Sequence, residues 1–418
     1  MSLVDSTSVA VERPESVAEA ADLLRDSDGP LLFRGAGTKQ AWAGRPVEPA
    51  LVVETGRLSR VLAYNPADMT VAVGAGMPLR DLQELLREKG QWLALDPGTE
   101  SAGATVGGLL ATGDSGPRRL RYGALRDLVI GVTLVLSDGT VAHGGGTVIK
   151  NVAGYDLPKL LYGSLGTLGF VAEVVLRLHP RPEATATATV PVPVDRAGDL
   201  ALRLSASALE PAAVDWGNVD GGLLAVRFEG TAAGVESRQA AIRELFGDDG
   251  AVEWRTGDNE ETVWQRLAEG HRPEEGGTLA VAGTLPSRTA DVARVLAEVT
   301  QTSGARTGFA SRPALGLHTA RFAGPPAEVG RAVTAWRERV LALGGTVLLR
   351  DRPAAVDAEV DALGPPPSSV GLLRSLHRRL DPQGRCAPGR LGSWLPIPAP
   401  GEDLVRSWPT PAATRTSA

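Results

Sequence analysis

The sequence predicts an α+β protein in two unequal parts, and three observations lead there. Glycine makes up 50 of 418 residues, and 23 of the 50 fall between Gly35 and Gly169. That stretch is also rich in Val, Leu and Ala, so its glycines supply backbone conformations rather than looseness. After Pro182 glycine thins, and strand-like runs alternate with helix-like ones, the pattern of a sheet covered by helices.

The elements follow in order. Pro14 to Arg25 reads as an amphipathic helix, with Val17, Ala20, Ala21 and Leu24 on one face. Leu31 to Arg34 and Leu51 to Glu54 are short strands. Val61 to Tyr64 and Thr70 to Gly74 form a hairpin around Asn65-Pro66-Ala67-Asp68. Pro78 to Glu88 is a helix that Gly90 ends. A turn at Asp96–Thr99 and a short helix within Thr105–Gly113 come next. Leu128 to Leu136 is a strand, turned back by Ser137-Asp138-Gly139. Phe170 to Leu178 is another, broken by His179-Pro180-Arg181-Pro182.

In the second part, strands are expected at Leu223–Phe228, Leu279–Gly283, His318–Phe322 and Thr346–Arg350. Helices are expected at Gly234–Leu245, Pro286–Thr300 and Pro326–Leu343. These two βαβ-like units suggest one antiparallel or mixed sheet with helices on one face. Asp351 to Ser369 is Pro- and Ala-rich and reads as a linker. Leu372 to Leu380 is a short helix, and Asp381 to Leu391 is turn-rich. The last ~20 residues read as a disordered tail.

Composition excludes several classes. A net charge of -6 argues against a general nucleic-acid binder. The single cysteine, Cys386, excludes an intrachain disulfide framework and any multi-cysteine metal site. No run of about 18 apolar residues occurs. Met1-Ser2-Leu3-Val4-Asp5 lacks a basic or apolar signal pattern, so a cytoplasmic location is expected, with any membrane association through partners.

Three glycine-rich segments carry the chemistry. Arg34-Gly35-Ala36-Gly37-Thr38-Lys39 follows a strand and is a candidate phosphate cradle, because glycines let successive N–H groups converge on an anion. By itself such a run is more often a plain turn. The second segment joins Pro97-Gly98-Thr99, Thr105-Val106-Gly107-Gly108 and Thr112-Gly113-Asp114-Ser115-Gly116-Pro117-Arg118-Arg119. The third runs Gly144-Gly145-Gly146-Thr147-Val148-Ile149-Lys150-Asn151-Val152-Ala153-Gly154-Tyr155-Asp156-Leu157 and on through Gly163-Ser164-Leu165-Gly166-Thr167-Leu168-Gly169.

Together these runs resemble the FAD-binding domain of the PCMH/VAO type (vanillyl-alcohol oxidase, p-cresol methylhydroxylase). Within that superfamily they are most similar to the FAD-binding subunit of bacterial glycolate oxidases. The likeness covers about residues 10–182 and returns at Leu380-Asp381-Pro382-Gln383-Gly384-Arg385-Cys386-Ala387-Pro388-Gly389-Arg390. It implies an FAD-binding domain at 1–182, in subdomains of about 1–55 and 56–182. A smaller α+β cap would follow at 183–365, then a return to the FAD domain at 366–395 and a tail at 396–418.

Residue by residue, the resemblance makes Arg34, Gly35, Ala36, Gly37, Thr38 and Lys39 the first pyrophosphate loop. Pro97, Gly98, Thr99, Thr105, Gly107 and Gly108 would be the second. Thr112, Ser115 and Gly116 would lie near the flavin ring, with Lys150 and Asn151 close by. Gly163, Gly166, Thr167, Gly169 and the backbone of Val171 would meet the adenosine half. A lysine beside the ring would stabilise a reduced, anionic flavin; Lys150 pairing with Asp156 or Asp127 is the equal alternative.

The departures from the family matter as well. The first loop has no His or Cys, so FAD is expected to be non-covalent. Ala387 stands where the family has Asn. The five histidines (His143, His179, His271, His318, His377) are scattered, and no Gly-Asp-Gly-Asn-x-His motif is present, so no metal is expected. His318, on an alternating strand, is a candidate general base. His271 lies in a polar loop and reads as solvated. Arg312, Arg321 and Arg350 are candidate carboxylate binders.

The function this implies is an FAD-binding subunit of a glycolate oxidase-like complex. The complex would oxidise a small 2-hydroxy acid, this subunit binding FAD and leaning on a sister flavoprotein for substrate oxidation and on an iron–sulfur subunit for electron exit. A self-sufficient FAD-dependent alcohol or D-2-hydroxy-acid dehydrogenase and a non-catalytic assembly subunit are the alternatives.

Overall fold

A computed structural model describes residues 9–147, 155–247 and 250–395. The first sheet is parallel. β1 (Ala10–Glu12) and β2 (Leu31–Arg34) flank β3 (Leu51–Glu54), and α1 (Val17–Asp26) connects β1 to β2. Ser16 caps α1 by accepting the Glu19 N–H, and Ala20, Ala21 and Leu24 are its buried face.

The second sheet is antiparallel, in the order β4 (Val61–Asn65), β5 (Thr70–Gly74), β9 (Phe170–Arg177), β7 (Val129–Val135), β8 (Val141–Gly145). Along β9 buried and half-buried residues alternate at every position. Helices α2 (Leu79–Arg87), α3 (Val106–Thr112), α5 (Leu125–Leu128) and α6 (Leu157–Leu161) share its core, through Leu82, Leu86, Leu109, Leu128 and Leu161. β9 ends at Arg177, where the His179-Pro180 break was expected, and the break itself pairs in a separate two-stranded sheet. It forms β10 (His179–Pro180) against β6 (Gln91–Trp92), and the Trp92 indole donates to the Pro180 carbonyl at 3.1 Å. The short α4 (Arg119–Tyr122) projects toward the rest of the chain.

The third sheet has eight strands, and every pairing in it is antiparallel. The expected strands appear as β13 (Leu223–Gly230), β15 (Thr278–Gly283), β17 (Leu317–Ala323) and β18 (Thr346–Leu349). β11 (Ala184–Pro191), β12 (Ala213–Gly217), β14 (Glu253–Arg255) and β16 (Arg306–Arg312) join them, in the order β14-β11-β13-β12-β16-β17-β15-β18. β11 escapes a hydrophobicity reading because it alternates Ala and Thr. Thr187 is fully buried, and its hydroxyl is satisfied by Glu260 Oε1 at 2.9 Å.

Helices cover both faces rather than one. α7 (Val194–Ser205), α8 (Ala232–Phe246), α10 (Thr289–Ser303) and α11 (Pro326–Ala342) pack on the face that carries Val226, Phe228, Ala320 and Phe322. α9 (Gly257–Gly270) packs on the other, against Ala213 and Ala225. That second face carries Asp215, Arg227, Glu229 and Arg312, and it meets residues 115–122 of the N-terminal part.

The expected linker is a packed segment. Val356, Val360 and Leu363 are buried, and Arg352 donates to the Ala41 carbonyl at 2.8 Å. α12 (Val370–Leu380) then returns the chain to β2, where Leu31 N–H donates to Arg385 O and Ala387 N–H to Leu31 O. Ala387 sits at φ +43°, a conformation in which Asn is the residue other than Gly most at ease. The tail at 396–418 lies outside the described residues. Among the described residues no helix is long and apolar enough to cross a membrane.

Candidate functional site

A cleft of about 710 Å³, part of it open to solvent, lies where the two N-terminal sheets meet α3. Arg34, Gly35, Ala36, Gly37, Thr38 and Lys39 form one wall, and Thr105, Gly107, Gly108 and Thr112 another. Gly166, Gly169 and Val171 close the third side. Local sequence explains why these walls approach. A Cβ on Gly35 would lie 2.3 Å from Thr105 Oγ1, and one on Gly107 would lie 2.7 Å from Ala75 Cβ. Only glycine lets the loop and the helix N-terminus come this close. Gly37 (φ +72°) and Gly166 (φ +81°) adopt the left-handed backbone their turns need.

The donors point to an anion. Among the described residues, no backbone carbonyl takes the N–H of Gly35, Ala36, Gly37, Thr38 or Lys39. The loop carbonyls, by contrast, are held from behind. Arg390 donates to Gln40 O and, at 3.1 Å, to Lys39 O. Burial, with Arg352 and Arg45 nearby, pulls the Arg390 guanidinium down to about 10. Thr55 Oγ1 also lines the cleft, buried and without a hydrogen-bond partner. Neither Arg390 nor Thr55 stood among the expected site residues. The closing Gly-Arg motif was the available signal for the first; nothing in the sequence marked the second.

The remaining expected residues sit beside the cleft or behind it. Thr99 Oγ1 donates to Asp114 Oδ2 at 2.7 Å. Gly116 is pressed onto Asp96, where a Cβ would fall 1.9 Å from the Asp96 carbonyl. Gly163 N–H donates to Leu110 O, and Thr167 Oγ1 to Ser164 O at 2.7 Å. Pro97 opens a turn closed by the Glu100 N–H. The carbonyls of Gly98 and Ser115 accept from Arg272 and Arg312 of the third sheet's domain, both at 3.2 Å. Lys150 and Asn151 lie outside the described residues.

A buried polar cluster continues from the cleft into this junction. Lys39 Nζ is 3.6 Å from Asp114 Oδ2, and burial holds its amine below the usual lysine value, partly offset by Asp114. Arg350 lies 3.8 Å from Asp114 Oδ1 and stacks on Trp42 at 4.0 Å. Burial lowers its pKa too, and neighbouring Arg312 adds to the effect. Burial raises Asp351, which accepts from the Trp42 indole at 3.1 Å.

Two histidines sit in surroundings other than those expected. His318 is fully buried on the helix-covered face, away from the cleft. It is hydrogen-bonded to Ser311 Oγ and Thr284 Oγ1 at 2.9 Å each and stacked on Phe309. Burial pulls it down to about 4, so it is neutral and structural. His271 is not solvated. It is enclosed at the junction, with Nε2 2.9 Å from Asp215 Oδ1 and Nδ1 2.7 Å from Thr319 Oγ1.

His318 couples folding to pH. The unfolded chain binds a proton there near pH 6.5 and the folded chain only near 4. Stability at this site is therefore complete above 6.5 and falls as pH drops toward 4, by about 2–3 kcal/mol. Urea unfolding at pH 4.5 and 7.5 is expected to show a smaller difference in His318→Gln than in the wild type.

Residues 7–145 match the FAD binding domain family. The chain is 32% identical to glycolate oxidase subunit GlcE of Escherichia coli over 245 residues, 58% of this chain and 65% of that one. It is 35% identical to a D-lactate dehydrogenase of Archaeoglobus fulgidus over 175 residues, 41% of this chain and 39% of that one. In both cases the chain spans less than two thirds of the relative's length. Solved alkyldihydroxyacetonephosphate synthase shares the fold at a TM-score of 0.68 and 17% identity, over 90% of this chain and 75% of that one. The α+β architecture is thus that of solved alkyldihydroxyacetonephosphate synthase, residues 7–145 match the FAD binding domain family, and part of the chain is similar in sequence to glycolate oxidase subunits and D-lactate dehydrogenases.

Proposed function

We propose that this chain holds FAD non-covalently in the cleft and oxidises a 2-hydroxy acid beside it, as the FAD-binding subunit of a glycolate oxidase-like complex. The observation that carries the reading is a continuous site. Unspent loop N–H groups line the cleft, and the half-buried guanidiniums of Arg312 and Arg350 stand at the junction next to it, Arg350 sharing Asp114 with Lys39 of the cleft.

The N–H groups of Gly35 to Lys39, with the 105–108 turn, would hold the pyrophosphate. Thr112, Ser115 and Gly116 would border the ring. Gly163 to Val171 would enclose the adenosine end. When bound, the flavin supplies a hydride acceptor. Arg312 and Arg350 would grip the substrate carboxylate and orient its carbon, and the Lys39 ammonium would balance negative charge gained in the cleft. Among the described residues no His or Cys lines the cleft, and Cys386 is fully buried in a backbone bridge to Leu31 of β2, which supports non-covalent binding.

The subunit reading is supported by the naming of GlcD and GlcE as glycolate oxidase subunits. Among the described residues no group of His, Cys, Asp and Glu is arranged for a metal. With one cysteine in the chain, an iron–sulfur cluster would belong to another subunit. A self-sufficient dehydrogenase is the second reading, favoured by the presence of both arginines in this chain. Steady-state assays with a dye acceptor and a 2-hydroxy acid test the site. Arg350→Met is expected to raise KM about tenfold or more with a smaller change in kcat. An unchanged KM contradicts the assignment.

A further inference from the structure

We propose that His271 and Asp215 are a positioning pair. They hold the Arg312 guanidinium across the domain junction so that its free donors face an anionic substrate. The proposal deepens the carboxylate reading above and rests on it.

The geometry carries it. Asp215, on β12, is 2% exposed and divides its two oxygens between two partners. Oδ1 lies 2.9 Å from His271 Nε2, and Oδ2 lies 3.5 Å from Arg312 Nε. The second contact is long, and Arg312 Nε is buried without a hydrogen bond. The only hydrogen bond from the Arg312 side chain among the described residues runs from Nη1 to the Ser115 carbonyl, at 3.2 Å. Arg312 is thus placed by a charge it does not fully engage and by one backbone oxygen, and its other donors are left over. Among the described residues Arg350 has no hydrogen-bonded carboxylate either, since Asp114 is at 3.8 Å. Two half-buried guanidiniums close enough to perturb each other, with donors to spare, are an unfavourable pair until an anion joins them.

His271 sets which atom of Asp215 is free. Its Nδ1 meets the Thr319 hydroxyl at 2.7 Å, and the ring is enclosed at the end of α9. Burial holds it below the usual histidine range, so it is the neutral form. The network then assigns its proton to Nε2, which donates to Asp215, while Nδ1 accepts from Thr319. A neutral donor orients the carboxylate without cancelling its charge, so that charge stays available to hold Arg312. A cationic histidine would compete with Arg312 for Asp215. Leucine at 271 would leave Oδ1 unpaired and free to rotate toward the arginine, consuming the donors that the substrate needs.

A double-mutant cycle on the full FAD-loaded chain tests this, with oxalate as a non-oxidisable probe read by calorimetry. His271→Leu is expected to weaken oxalate binding about tenfold or more. His271→Gln, which keeps an N–H donor, should stay within about threefold of wild type. In the Arg312→Met background, His271→Leu should have little further effect, because the pair acts through that arginine. The dissociation constant for FAD should be the same in all variants, which separates this role from a folding defect. If the two losses instead multiply independently, or if Gln fails as badly as Leu while FAD still binds, the positioning role is wrong and the carboxylate site stands. If oxalate gives no heat with FAD-loaded wild type, the carboxylate reading itself falls, and this inference with it.

Discussion

Arg118→Met is expected to lower the free energy of unfolding by about 3–5 kcal/mol, because it strands two carboxylates at the junction of the two parts. Glu229, on β13, has a side chain closed off from solvent. It accepts from Arg118 Nε at 2.8 Å and from the Tyr122 hydroxyl at 2.9 Å, while Arg121 donates to its carbonyl at 2.8 Å. Burial and the adjacent Glu229 charge push the Tyr122 phenol up to about 12, so it remains a donor at neutral pH. Arg118 also lies over Trp92 at 5.0 Å, and its N–H donates to Asp96. These contacts fix the third sheet's domain onto the 115–122 segment that borders the cleft. Pairing Arg118→Met with Glu229→Leu should recover part of the loss, since the Glu229 charge is then gone while Asp96 still lacks its guanidinium and the Tyr122 hydroxyl its acceptor. Urea unfolding of the single and double variants measures both. A loss under about 1 kcal/mol in the single variant would show that water reaches the pair and that the lock is weak.

Gly35→Ala is expected to weaken FAD binding at least about tenfold, close to 1.4 kcal/mol, through a single methyl group. The added Cβ would stand 2.3 Å from Thr105 Oγ1 and 3.2 Å from its Cγ2. Thr105 caps α3 by accepting the Gly108 N–H, so displacing it costs about 1 kcal/mol of capping. It also separates the two walls whose N–H groups must converge on one anion. Thr105→Gly in the same chain removes the clash and should restore part of the affinity; Thr105→Gly alone should lose only the cap. Titrating flavin-free protein with FAD, and following quenching of flavin fluorescence, distinguishes these outcomes. Equal affinity in Gly35→Ala would mean that the cleft does not close on the cofactor at this point.

The cleft was legible because glycine spacing encodes backbone approach directly. Gly35, Gly107 and Gly166 each have a steric or dihedral reason to be glycine, and all line the same space. Arg390 and Thr55 were harder to see because their roles depend on neighbours distant in the chain. Arg390 acts on carbonyls of residues 39 and 40.

The histidines show a second limit. Alternation placed His318 on a half-buried strand correctly, but it could not say which face the helices cover. His318 shares its face with Ala320 and Phe322, inside the helix-covered core. His271 is followed by Arg272-Pro273-Glu274-Glu275, a run that reads as solvent-facing. Its burial comes from Asp215 and Thr319, contributed by strands 56 and 48 residues away. The sheet order β14-β11-β13-β12-β16-β17-β15-β18 brings those strands together, and no local pattern carries that order. The Ala-Thr strand β11 and the packed 351–363 segment were lost for a related reason. Small and Pro-rich residues look like connection until their partners are known.

The most direct measurement is anaerobic. The full chain is purified alone, its visible spectrum recorded, and glycolate or D-lactate added without oxygen. We predict a flavin spectrum whose chromophore is released by acid as FAD, and bleaching of that spectrum by the 2-hydroxy acid in wild type but not in Arg312→Met. A chain without flavin, or one whose flavin stays oxidised with both acids, would contradict the account.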